Sequence, residues 1–241
     1  MPNEVIFDIG ANNGVDGLGY ALFNKNLKVY AFEANPELVK KIIINKELVE
    51  KFFEVKLENY TIIEKAISNY LGFDDFYISE YDLCSSLLKY KFVKTKKKIS
   101  CEVITLKKFC DDQNIDNIIY LHCDTQGSDL NVLKGLEEYK KIVHSGVVET
   151  MVEEKNVRYE GASCFKDFEN FFNNNEFEII NKTFNDYDHK EINVYFKNRK
   201  ILKDNLKFPK EFNRRLIHRI IEKRLTLKDK IFKNYFKIFV I

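Results

Sequence analysis

The chain has 241 residues, 45% of them hydrophobic and 32% charged, which excludes a disordered or fibrous protein. Its formal net charge of +2 hides an asymmetry: from Arg199 onward fourteen Lys/Arg face four acids, a local +10 that leaves −8 on residues 1–198. Five cysteines, odd in number and without a C-x-x-C pair, argue against a zinc knuckle or a disulfide framework and suit reduced thiols.

Short apolar runs alternate with helical patterns along the body. Residues 5–9 read as a strand, 15–24 as a helix and 28–33 as a second strand. Pro36 suits the first turn of a helix carrying Leu38, Ile42, Ile43 and Leu48 on one face. Residues 60–67 read as a third strand, and 73–79 as a short hairpin arm after the Leu71-Gly72 turn. A strand over 102–106 leads into a helix starting near Thr105. A buried-type strand follows over 118–124 ("IIYLHCD"), then a helix over 129–139 and a strand over 146–152. Residues 164–174 have helix spacing, and 177–183 with 191–197 form a terminal antiparallel hairpin. This alternation predicts a mostly parallel α/β sheet with helices on both faces. We expect one domain over 1–198 and a basic helical tail over 199–241.

In such a sheet, ligands sit beyond the carboxyl ends of the strands, where helix N-termini offer unpaired N–H groups. The distinctive polar residues of this chain fall there. Asp8, Gly10, Asn12 and Gly14 follow strand one, Glu33 closes strand two, Asp124 closes a central strand and Glu149 lies on the next. Glycines let the backbone approach a ligand, and an acid ending strand two can accept both ribose hydroxyls. The spacing is G-x-x-x-G rather than G-x-G-x-x-G, and no G-K-[ST] supplies a phosphate clamp. The acid before the first glycine would repel pyrophosphate. It suits a cation such as the sulfonium and ammonium region of S-adenosylmethionine.

The segments "VIFDIGANNG", "VYAFEANPE", "CEVITLKKFC", "YLHCDTQGSDLNVLKGLEEY" and "GVVETMVEEKNVRYEG" resemble the FkbM-type S-adenosylmethionine-dependent methyltransferases over roughly residues 4–197. The resemblance implies a class I, Rossmann-like methyltransferase fold and O-methylation, often of sugar hydroxyls in glycans or polysaccharides. By position it places Asp8, Gly10, Asn12 and Gly14 around the methionyl part of the cofactor. Glu33, with Ala34 and Asn35, would hold the ribose, Glu64 and Ala66 would lie near adenine, and Asp124 and Gln126 would line the methyl-transfer side. His122 stands where the family usually has lysine, which puts that lysine's role in doubt here.

A sugar hydroxyl is a poor nucleophile and needs a base or a metal. Asp124 is the first candidate base. His122, on the same strand face, titrates in a suitable range, but its place nearer the sheet interior favours a buried structural histidine over a catalytic one. Asp124 and Glu149 are also candidate ligands for a divalent metal, Mg or Mn. Ser85 and Ser86, between the cofactor and acceptor halves, are candidate acceptor contacts together with Glu149. Two rival readings are a non-catalytic scaffold of the same fold and a dinucleotide-dependent oxidoreductase, the latter disfavoured by the loop spacing.

In the tail, Phe212, Leu216, Ile217, Ile220, Ile221 and Leu225 recur at helical spacing, and Ile231, Phe232, Tyr235, Phe236 and Phe239 resume the series. Such a tail packs on the body or on a second subunit, or lies on an anionic membrane. Nucleic acid is disfavoured because no reader motif accompanies the charge. Residues 1–10 lack a basic leader region, and no apolar run approaches the ~20 residues of a spanning helix. We therefore expect a cytoplasmic protein, peripheral at the inner membrane surface if the tail meets lipid, and open to homo-oligomer formation.

Overall fold

The computed structural model describes residues 3–201 and 211–223. Its frame is a seven-stranded sheet built from β1 (Glu4–Ile9), β2 (Lys28–Phe32), β3 (Tyr60–Ile63), β7 (Asn117–Cys123), β8 (Val143–Met151), β9 (Phe177–Phe184) and β10 (Glu191–Asn198). The spatial order is β3-β2-β1-β7-β8-β10-β9. The first five strands are parallel, and β10 runs antiparallel to both β8 and β9. The mostly parallel α/β arrangement with an antiparallel terminal hairpin is thus the one expected.

Strand alternation divides the core in two. Val5, Phe7 and Ile9 face a layer containing α3 (Leu106–Gln113), α4 (Asp129–Lys134) and α5 (Phe165–Asn174). Ile6, Val29, Ala31, Tyr120 and Val147 face α1 (Val15–Phe23), α2 (Pro36–Phe53) and α6 (Glu211–Ile221). The chain winds outward from β1 in both directions, so the strand order reverses between β1 and β7. A crevice opens at that reversal, above the strands' carboxyl ends.

Helix α2 begins as its sequence suggests, with Asn35 Oδ1 accepting from Glu37 N at 3.0 Å and proline in the first turn. Its buried stripe is Leu38, Val39, Ile42, Asn45, Val49 and Phe53. Ile43, expected on that face, is 45% exposed instead, because it lies one residue past the stripe.

Three other expectations change. The strand expected over 60–67 is two: β3 joins the main sheet, while β4 (Ala66–Ile67) pairs with β6 (Thr95–Ile104) in a three-stranded sheet ordered β4-β6-β5. Lys65 N reaches Ile63 O at 3.0 Å, a tight turn between the two sheets. Strand β6 starts at Thr95, seven residues before its expected start, and its lysine-rich half pairs antiparallel with β5 (Gly72–Ser79). The helix expected over 129–139 ends at Lys134, and a 3₁₀ turn over Glu137–Ile142 follows. Gly135 lies so close to Ser68 that a Cβ there would stand 2.2 Å from the Ser68 carbonyl oxygen.

Helix α6 decides part of the tail question. Leu216, Ile217 and Ile220 are buried in the cluster that holds Tyr120 and Val147. That stripe is therefore satisfied by the body and is not available to lipid. Leu225 and the second stripe, Ile231 to Phe239, lie outside the described residues, as does the Phe212 side chain. No helix among the described residues is long and apolar enough to cross a membrane.

Candidate functional site

Beyond the ends of β1, β2, β7 and β8 lies a cavity of about 780 Å³. Its floor is the turn after β1. Gly10 N and Ala11 N both donate to Phe32 O, at 3.0 and 2.9 Å, and Asp124 N donates to Ile9 O at 2.9 Å. These bonds press the turn against both neighbouring strands. Gly10 has φ +79°, and a Cβ there would lie 1.9 Å from the Asp124 carbonyl oxygen, so no side chain fits. Asn12, also left-handed with φ 51°, gives its N–H to Glu33 Oε2 at 2.8 Å.

Glu33 is 6% exposed, and its other oxygen, Oε1, accepts from Asn35 N at 2.9 Å. Burial outweighs these backbone donors and lifts its carboxyl to about 7. Each oxygen keeps a second lone pair for a diol donor.

Asp8 and His122 are register partners on β1 and β7, and both side chains point to the α1 side of the sheet. Asp8 is 1% exposed, and its Oδ1 lies 2.7 Å from His122 Nδ1. Burial opposes a charge on His122, but the Asp8 carboxylate prevails and holds the imidazole up at about 9. Asp8 Oδ2 is buried without a hydrogen-bond partner among the described residues. It lies under α1, 2.5 Å from where a Cβ on Gly17 would stand.

The far side of the cavity is a polar network. Gln126, with φ 57°, follows Asp124. Its Nε2 donates to Asp124 Oδ1 at 2.7 Å and to Glu149 Oε1 at 3.2 Å, while Tyr159 Oη donates to Gln126 Oε1 at 2.7 Å. Asn185 Nδ2 donates to Glu149 Oε2 at 2.5 Å and to Asn193 Oδ1 at 3.1 Å. Burial and the nearby Asp124 carboxylate push Glu149 up to about 10. Burial also raises Asp124, against the pull of His122 and the Gln126 amide. Arg158 braces the rim through Asp186 at 2.9 Å and Glu191 at 3.2 Å.

Of the residues singled out in sequence, Asp8, Gly10, Asn12, Glu33, Ala34, Ala66, Ser85, His122, Asp124, Gln126 and Glu149 line this one cavity. Four others do not. Gly14 starts α1 with φ 78°, and a Cβ there would meet Ile42 at 2.9 Å. Asn35 is spent as the cap of α2. Glu64 sits exposed in the turn between the sheets. Ser86 is 1% exposed, and its Oγ donates to Thr125 O at 3.1 Å, stapling its loop to the exit of β7.

The expected metal pair also needs correction. Asp124 and Glu149 are bridged by one amide, and among the described residues no group of three His, Cys, Asp or Glu is placed to hold a metal ion. Sequence reasoning missed Tyr90, Arg158, Asn185, Asn193, Arg214 and His218, all of which line the cavity. One signal was present: on β10 the polar Glu191, Asn193 and Tyr195 alternate with the buried Ile192, Val194 and Phe196. Because β10 is antiparallel, its first residues lie at the carboxyl end of β8, with Asn193 opposite Glu149.

The cavity has two unlike ends. A closed glycine floor and a buried diol acceptor stand at one side, and amides and carboxyls at the other. The family comparison identifies the chain's class. Residues 8–200 match the Methyltransferase FkbM domain. The 2-O-methyltransferase NoeI of Sinorhizobium fredii (strain NBRC 101917 / NGR234) is 27% identical over 151 residues, 57% of this chain and 59% of that protein. The chain thus spans about three fifths of that curated relative. The crystal structure of methyltransferase FkbM from Methylobacillus flagellatus KT superposes with a TM-score of 0.48 at 15% identity, covering 80% of this chain and 43% of the other. M. capricolum TrmK in complex with S-adenosyl-homocysteine superposes with a TM-score of 0.46 at 14% identity, covering 100% and 92%.

Proposed function

Because this chain belongs to the Methyltransferase FkbM domain family, we propose that it is an S-adenosylmethionine-dependent O-methyltransferase whose acceptor is a sugar hydroxyl in a glycan or related sugar-bearing molecule. The observation that carries this reading is the single cavity that joins the Gly10 floor and Glu33 to the Asp124–Gln126–Glu149 network. Its volume of about 780 Å³ leaves room for an acceptor beside a cofactor. The name of the relative, a 2-O-methyltransferase, supports oxygen as the methylated atom. The amides of Asn185 and Asn193 on the acceptor side support a polyol.

When bound, the cofactor supplies an electrophilic methyl group on a sulfonium. The protein's part is to align and to move one proton. Glu33 would accept the ribose hydroxyls, and the turn from Gly10 to Asn12 would hold the methionyl part. Asp124, held by the Gln126 amide, would take the proton released by the acceptor hydroxyl. Glu149, its carboxyl raised by burial and by the nearby Asp124, holds the Gln126 amide in place between them. Alignment of this kind is worth up to about 7–11 kcal/mol of the barrier. The five free cysteines agree with the cytoplasmic setting we propose.

A mass-spectrometric screen for a product heavier by one methylene, run over glycan and oligosaccharide acceptors, tests the assignment. Calorimetric binding of NAD with none of S-adenosylmethionine would overturn it.

A further inference from the structure

Helix α6 lies beyond the residues that match the family, yet it forms part of the cavity wall. It is held there by two features. Leu216, Ile217 and Ile220 are buried against the body. Arg214 grips Asp16 in the first turn of α1 through two contacts, Nε to Oδ1 at 2.8 Å and a guanidinium N–H to Oδ2 at 2.9 Å. Asp16 and Arg214 both line the cavity, one turn past the glycine floor.

The other cations on that cavity are committed elsewhere. Lys65 reaches Glu102 at 2.6 Å, His122 is held by Asp8, and Arg158 is braced between Asp186 and Glu191. Arg214 is different in its place and its openness. It stands beside the glycine loop, its side chain is 58% exposed, and Asp16 takes two of its five N–H donors.

This matters because the cofactor named above has a zwitterionic end. A ligand carrying an ammonium and a carboxylate side by side is best met by a carboxylate and a guanidinium side by side, and the planar guanidinium suits a carboxylate in particular. We propose that Asp16 and Arg214 form the subsite for the aminoacyl end of the cofactor. Asp16 takes the ammonium and Arg214, supplied by the C-terminal helix, takes the carboxylate. Asp8, sealed under α1 and engaged by His122, is then not the ammonium's partner. Helix α6 is thus part of the cofactor site. The inference rests on the cofactor reading of the preceding section.

Titration calorimetry on the full chain separates the two. S-adenosylhomocysteine carries the aminoacyl end, whereas 5′-methylthioadenosine lacks it. Arg214→Met should weaken S-adenosylhomocysteine by about 10- to 100-fold, the range for a hydrogen bond to a charged group. It should leave 5′-methylthioadenosine within about twofold, and Arg214→Lys should recover part of the loss. Asp16→Asn should show the same selectivity. Independently of any variant, the wild type should bind decarboxylated S-adenosylmethionine at least about tenfold more weakly than S-adenosylmethionine. An Arg214→Met protein with a lower melting temperature but an unchanged ratio of the two affinities would mean that Arg214 only fastens α6, and the proposal fails. Wild-type binding of neither ligand would remove the cofactor reading, and this inference with it.

Discussion

Replacing Glu33 by Gln tests the electrostatics of the site before any substrate is known. The carboxyl is 6% exposed, with Asn12 N at 2.8 Å on one oxygen and Asn35 N at 2.9 Å on the other. Gln keeps one acceptor and turns an NH₂ toward the other N–H, leaving a buried donor unpaired at a cost of about 1–3 kcal/mol. Against that, the wild-type carboxyl is raised from 4.5 to about 7, chiefly by burial. A raised acid stabilises the fold at low pH and loses that contribution as pH climbs from the unfolded value through the folded one. Between about pH 5 and pH 8 this loss is worth roughly 2.5 kcal/mol in the wild type and nothing in the variant. At about 2–4 °C per kcal/mol for a chain of this size, the melting-temperature gap between wild type and Glu33→Gln should shift by roughly 5–10 °C toward the variant. Thermal melts of the cofactor-free proteins at the two pH values give the answer. A gap that stays constant with pH would refute the claim that Glu33 is a buried, costly charge.

Three further outcomes follow from the same geometry. Gly10→Ala combines a φ of +79° with a Cβ 1.9 Å from the Asp124 carbonyl, so its destabilisation should exceed the ~1–2 kcal/mol of the backbone conformation alone; a thermal melt equal to wild type would contradict the close approach. His122→Gln should lower stability most at about pH 6 and progressively less above it, since the Asp8 pairing that raises His122 from 6.5 to about 9 acts fully below the lower value and fades as pH rises through the upper one. Urea denaturation should show the two proteins converging by about pH 10, and a gap that persists would mean that the pair is not ionic. Asp124→Asn should cut turnover by about 10²–10⁴ while S-adenosylhomocysteine affinity stays within about threefold; near-normal turnover would remove Asp124 as the base.

Much of the frame was legible because it depends on local periodicity. The strands β1, β2, β7 and β8 are runs of Val, Ile, Leu and aromatic residues, and each ends on or near an acid. Those acids mark the rim because a carboxylate cannot be buried in mid-strand without a partner. Elements whose pattern was masked by charge were harder. The lysines at 96–98 lie before the strand expected over 102–106, yet their backbone pairs with β5. The helix after Asp129 continues in pattern but ends at Lys134, where Gly135 follows as its cap and packs against the Ser68 carbonyl.

What the sequence determined by itself was which residues stand at the strand ends, since a two-residue period and a glycine turn are properties of neighbours along the chain. Their charge states were decided only in three dimensions. Asp8 meets His122 across 114 positions, Glu149 is reached by Gln126 across 23, and Arg214 clasps Asp16 across 198. Burial and pairing act through space, so the raised Glu149 carboxyl, the cation at His122 and the closing of the cavity by α6 belong to the tertiary structure alone.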